Sequence, residues 1–86
     1  HLFELSYDVM AEQGIPFRTL FPLIEETFAK IHTLTPHEAQ TGPALRWDEN
    51  VMQWHMAMLH DSRHREIYRL LSESIRVSHT RKLKKK

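Results

Sequence analysis

Seven histidines and no cysteine set the chemistry open to this 86-residue chain. Without cysteine there is no disulfide scaffold, thiolate zinc site, iron–sulfur cluster or thiol nucleophile. His60 and His64 are spaced i, i+4, with Asp61 between them and His55 upstream. Two imidazoles at that spacing on one helix chelate zinc, and a carboxylate can complete the site. Asp61-Ser62, however, reads as a helix boundary, which takes the pair off a regular helix and makes solvated polar residues at a turn the ordinary reading. No metal site is therefore expected, with His60 and His64 as the only candidates. Two glycines, Gly14 and Gly42, are too few for a loop that cradles a pyrophosphate, so no dinucleotide site by the usual fingerprint is expected within this chain. The tail Arg81-Lys82-Leu83-Lys84-Lys85-Lys86 could touch phosphates by electrostatics alone. No basic stripe interleaved with aromatics accompanies it, and nucleic acid is not the expected partner.

The elements that position these residues have helical spacing almost throughout. Leu2, Leu5 and Val9 form one stripe of a first helix, and Glu4, Asp8 and Glu12 an acidic row on another face. Gly14-Ile15-Pro16 stops that helix, because glycine suits a left-handed end and proline cannot continue the ladder. Phe17, Phe21, Ile24, Phe28 and Ile31 mark the second helix. Pro22 there means either that 17–21 is a separate turn and Pro22 sits in the first turn of the main helix, or that the helix is kinked. Thr35-Pro36-His37-Glu38 has the pattern of a capping box opening a short helix. Thr41-Gly42-Pro43 ends that helix in a loop, and Asp48 caps the next. On that next helix Val51, Trp54 or His55, and Met58 or Leu59 face inward. Asp61 or Ser62 caps the last helix, whose stripe is Ile67, Leu70, Leu71, Ser74 and Ile75. The fold class is all-α: a small bundle of about four main helices plus one short helix, over residues 1–80, followed by a frayed basic tail over 81–86.

Composition agrees with one small folded domain, since 41% hydrophobic and 27% charged residues are the balance of an ordinary globular chain. A chain this short buries only roughly 60–65% of its extended surface, so surfaces available to partners matter. The longest apolar run, Met56-Ala57-Met58-Leu59, is far below the roughly 20 residues that span a bilayer. No signal peptide is visible, a cytoplasmic location is expected, and a start at His1 rather than Met suits a fragment or processed chain. Residues 1–62 carry three basic and nine acidic side chains, net −6, whereas 63–86 carry nine basic and two acidic, net +7. The acidic row of the first helix is thus expected near Arg65, Arg69 or Arg76, in the same subunit or a neighbour. Val51, Met52, Trp54, Met56, Met58 and Leu59 cover more than one stripe of their helix, which favours packing of one side against another chain.

Three segments in order, Pro22-Leu23-Ile24-Glu25-Glu26-Thr27, then P-x-E-A-x-TGP-x-x-R-x-D from Pro36 to Asp48, then R-E-x-Y-R-x-L-S from Arg65 to Ser72, carry a family likeness. Together they resemble the helical C-terminal domain of unknown function that follows a Rossmann-like domain in bacterial NADP-dependent oxidoreductase-like proteins. The likeness runs from about Leu2 to Ser78. One departure is Arg46-Trp47-Asp48, where that family usually has Arg-Gly-Asp. The resemblance implies a fold similar to the C-terminal domain of 6-phosphogluconate dehydrogenases, with NADP or NAD held by an N-terminal Rossmann domain outside this chain. It further implies that the helical domain forms a homodimer and supplies one wall of the substrate cleft, without being catalytic alone. Mapped onto this sequence, the cleft candidates are Glu26, Thr27, Thr41, Gly42, Pro43 and Arg46. The Thr41 hydroxyl and nearby backbone N–H groups would serve a ligand or a helix end. Arg46 would bind a carboxylate or phosphate, or else pair with Asp48 or a helix C-terminus. No residue is marked as a catalytic base. The alternative function is a non-enzymatic helical interaction module with a basic tail.

Overall fold

The stop signals divide the chain where their chemistry requires. A computed structural model describes residues 1–84 as α1 (Leu2–Glu12), a 3-10 turn (Phe17–Leu20), α2 (Phe21–Lys30), α3 (Pro36–Ala39), α4 (Pro43–Arg46), α5 (Glu49–Met58) and α6 (Ser62–Lys84). Among the described residues there is no strand, and the all-α class holds. The helices fall into two compact units, His1–Ala39 and Gln40–Lys86.

In the first unit, α1 ends in a Schellman motif. Gly14 takes φ 69°, its N–H bonds to Ala11 O at 3.0 Å, and the Ile15 N–H reaches Met10 O at 2.9 Å. Of the two readings of Pro22, the separate turn is the one realised: residues 17–20 form the 3-10 turn and Pro22 stands in the first turn of α2, where a missing N–H costs nothing. The turn packs on α1 through Tyr7 and Phe17, with ring centroids 5.6 Å apart, and Phe17 meets Phe21 edge-on at 5.8 Å. The capping box forms as expected. Thr35 N and Oγ1 donate to Glu38 Oε1 at 3.0 and 2.8 Å, and Glu38 N donates to Thr35 Oγ1 at 3.2 Å. These backbone and hydroxyl donors hold the Glu38 carboxyl below its usual range. No residue of this unit is buried.

In the second unit a single helical turn, α4, occupies the stretch expected as loop. Gly42 at φ 106° precedes it and Pro43 opens it. Asp48 caps α5, its Oδ1 accepting from Val51 N at 3.3 Å, as its position before the apolar run requires. Asp61, rather than Ser62, caps α6: Oδ1 accepts from Arg63 N at 2.7 Å, and this bond keeps the carboxyl below its usual range. Arg65 Nη1 donates to the carbonyls of Met56 (2.6 Å) and Leu59 (3.3 Å), closing the C-terminal end of α5 with a charge-assisted cap.

The stripe of α6 differs from the expected one. Ile67 and Ile75 are covered as expected, Leu70, Leu71 and Ser74 are exposed, and His64, Tyr68, Ser72 and His79 are covered as well. A small residue is needed where α4 lies against α6, and Ser72 and Ala44, at 5% and 8% exposure, are the buried residues among those described. On α5 the open alternatives resolve to His55 and Leu59 inward, with Trp54 and Met58 outward. Each of the three arginines singled out has a partner within its own unit: Arg65 caps α5, Arg69 joins Glu66 and Glu73, and Arg76 lies 4.3 Å above the Trp47 ring. Helix α6 continues to Lys84, and Lys85 and Lys86, the end of the basic tail, lie outside the described residues.

Candidate functional site

Four of the six cleft candidates cluster at α4 because Gly42 and Pro43 build that turn. Gly42 provides the positive φ, Pro43 the fixed one, and the next residues wind once before Trp47 reverses the chain at φ 52° and ψ 51°. Thr41 is exposed, with its carbonyl accepting from Gln40 Nε2 at 2.9 Å. Arg46 is exposed in the last turn of α4. The pairing with Asp48 considered from the sequence does not form, since Asp48 serves as the α5 cap. Among the described residues none of the ion pairs involves Arg46.

The other two candidates stand on α2 in the first unit. Glu26 accepts a 3.8 Å ion pair from Lys30, one helical turn on. Thr27 Oγ1 donates to Leu23 O at 2.9 Å and borders an apolar groove of about 400 Å³ with Phe3, Leu20, Leu23, Ile24 and Phe28. Its hydroxyl proton is thus engaged by its own helix, with apolar neighbours around it.

A second concavity was missed by the sequence reading. Between α5 and α6 runs a groove of about 510 Å³, with walls from Trp47, Met52, Met56, Ala57 and Tyr68 and with Ser72 also at its lining. Glu49, Arg65, Arg69 and Glu73 also line it, and Arg69 is paired with Glu73. The Tyr68 hydroxyl and His55 Nδ1 share a 2.7 Å hydrogen bond, and burial pushes the Tyr68 phenol up from its usual value. Arg69 is held by Glu66 and by Glu73 at 3.0 Å, which raises its own pKa and lowers that of Glu66. The missed signal was in the motif R-E-x-Y-R-x-L-S, where a tyrosine and a serine four residues apart mark the covered face better than the adjacent leucines do.

The histidine pair does not assemble a metal centre. His64 stands in the first turn of α6 with Nε2 4.0 Å from Asp61 Oδ2, whereas His60 precedes the helix and is exposed. Among the described residues no group of three or more His, Cys, Asp or Glu side chains converges as a metal site would need. No helix of the described residues is long and apolar enough to cross a membrane.

Comparison with known proteins places these features. Residues 1–75 match the family described as a domain of unknown function, DUF2520. A crystal structure of a "putative NADP oxidoreductase" from Bacteroides fragilis is similar at a TM-score of 0.84 and 44% identity, over 88% of this chain. The chain spans only 30% of that protein's length. No curated protein matches the chain.

Proposed function

The chain belongs to the DUF2520 family, and from that premise we propose that it is the dimerisation and substrate-cleft domain of an NAD(P)-dependent oxidoreductase. The observation that carries this reading is the 44% identity to a structure named "putative NADP oxidoreductase", 30% of whose length this chain covers. In the parent protein NADP or NAD would supply hydride transfer from a separate Rossmann domain. The glycines here suit other tasks: Gly14 closes a helix and Gly42 opens a single helical turn, neither one a pyrophosphate-binding strand–helix turn. The helical domain would contribute Thr41, Gly42, Pro43 and Arg46 to one wall of the cleft, with Arg46 as the group that meets a carboxylate or phosphate. Glu26 and Thr27 would contribute from α2. Exposed large apolar side chains in both units, among them Phe3, Phe28 and Trp54, suit a domain covered by partners.

The test is a titration of the full-length parent protein with NADPH and NADP+. Binding of either is the expected result; absence of binding at millimolar concentration overturns the oxidoreductase reading. The chain sequence upstream of His1 discriminates further. A strand–GxGxxG–helix unit there supports the proposal, and its absence favours an interaction module without enzymatic activity.

A further inference from the structure

Residues 1–39 form a unit in which no side chain is buried, and segments of this length rarely carry a fold on a core of their own. The apolar sides of α1 and α2 open instead into the groove of about 400 Å³, where Phe3 is 63% exposed and Leu23 and Phe28 are each 61% exposed. A smaller concavity of about 300 Å³ adjoins it, sharing Phe3 and Ile24 and lined also by Glu25. Among the described residues none of the ion pairs involves Glu25. A trough between two helices has the shape that takes the ridge of a third.

The chain itself carries a helix of matching shape and charge. On α6, Leu70 and Val77 are both 51% exposed, and seven residues apart they share one face. Leu70 lies two residues from buried Ser72, and Val77 two from covered Ile75, which is about 160° around the helix in each case. The contact with α4 therefore leaves this outer ridge open. Ser74, small and exposed, stands between the two apolar residues. Arg81 follows Val77 by one turn on the same side, exposed and in none of the ion pairs among the described residues. Charge selects the pairing. Residues 1–39 carry two basic and six acidic side chains, net −4, whereas α6 carries seven basic and two acidic, net +5. Two α1–α2 grooves brought face to face would meet like charge, but a second copy's α6 brought onto the groove meets opposite charge.

We propose that in a homodimer α6 of each copy lies in the α1–α2 groove of the other, with Leu70 and Val77 seated between the helices and Arg81 beside Glu25. The two contacts are identical and close a two-fold assembly. This rests on the dimerisation reading above and adds to it the two surfaces that meet.

The experiment uses the full chain, its mass followed by light scattering across a concentration series at low salt, and three variants. Phe28→Ser removes an exposed ring from the groove, so helicity should persist by circular dichroism while the dimer dissociation constant rises at least about 30-fold. Glu25→Lys and Arg81→Glu each set like charges together at both contacts, and each alone should weaken the dimer about 10-fold. Mixed in equal amounts, the two should restore it, because both contacts of the mixed dimer then pair opposite charges. A native dimer that Phe28→Ser leaves intact would overturn the placement of α6 in the groove while sparing dimerisation itself. So would charge variants that do not weaken the dimer singly or do not recover on mixing. A native chain that stays monomeric at all concentrations would overturn both.

Discussion

The C-terminal ends of α1 and α4 are closed by the same pair of backbone bonds and by opposite kinds of residue. At α1 the left-handed position is Gly14; at α4 it is Trp47, with its N–H on Ala44 O at 3.2 Å and the Asp48 N–H on Pro43 O at 2.9 Å. Glycine adopts that conformation freely, whereas a residue with a Cβ is strained there by about 1–2 kcal/mol. Position 47 is also where the resemblance leads one to expect glycine. The strain at Trp47 persists because its ring has something to hold: it is partly covered, walls the α5–α6 groove, and lies under the Arg76 guanidinium. The end of α1 is thus set by backbone freedom and the end of α4 by side-chain packing that overrides backbone preference.

Removing the ring should break this comparison most severely. Trp47→Ala keeps the strained backbone, since alanine has a Cβ, and loses both the groove wall and the Arg76 stack. A destabilisation of roughly 2–3 kcal/mol is expected, below the 3–5 kcal/mol of a fully buried tryptophan because this one is not fully buried. Trp47→Gly loses the same contacts but relieves the backbone, and should recover about 1 kcal/mol relative to Trp47→Ala. Thermal and urea unfolding of the two variants measures that difference directly. Equal stabilities would mean that the left-handed turn costs nothing.

Gly14→Ala is the converse and smaller change. A Cβ built at Gly14 meets nothing within 4 Å, so any loss comes from φ 69° alone. A loss of about 1 kcal/mol is expected. Finding no loss would mean that the Schellman turn of α1 is not maintained in solution.

The same contrast explains how much was legible in the sequence. Features governed by residues near one another in the chain were readable: Gly14 as a helix stop, Pro22 in a first turn as one of two open readings, Asp48 as a cap and the Thr35–Glu38 box. Each is a backbone preference or a short-range bond, which the local order of residues encodes. Features governed by packing between helices were not. Leu70 and Leu71 look like a core stripe by type, yet α4 is a single turn lying against the Ser72 face, which leaves both leucines exposed. Arg46 was legible as a candidate anion ligand, but its freedom from Asp48 became visible only once Asp48 was seen to cap α5. The groove needed α5 and α6 side by side before Met52, Met56 and Tyr68 could be recognised as one surface.

The smallest expected effect belongs to the most local feature. Glu38 is held ionised by the Thr35 backbone and hydroxyl donors, and its pKa is lowered from 4.5. A carboxyl whose pKa is lower folded than unfolded binds fewer protons in the native state. Its stabilising contribution is therefore complete above the unfolded value and is lost as pH falls through the folded one. Asp61, lowered from 3.8 by the Arg63 N–H, acts in the same direction over a slightly more acidic range. Helicity should accordingly decline below about pH 4.5 in melts run at successive pH values. Glu38→Gln should flatten the upper part of that decline, with a smaller loss at neutral pH than Gly14→Ala, because the amide oxygen still accepts from Thr35. A decline unchanged in Glu38→Gln would assign the acid sensitivity to Asp61 and the start of α6, moving it from the first unit to the second.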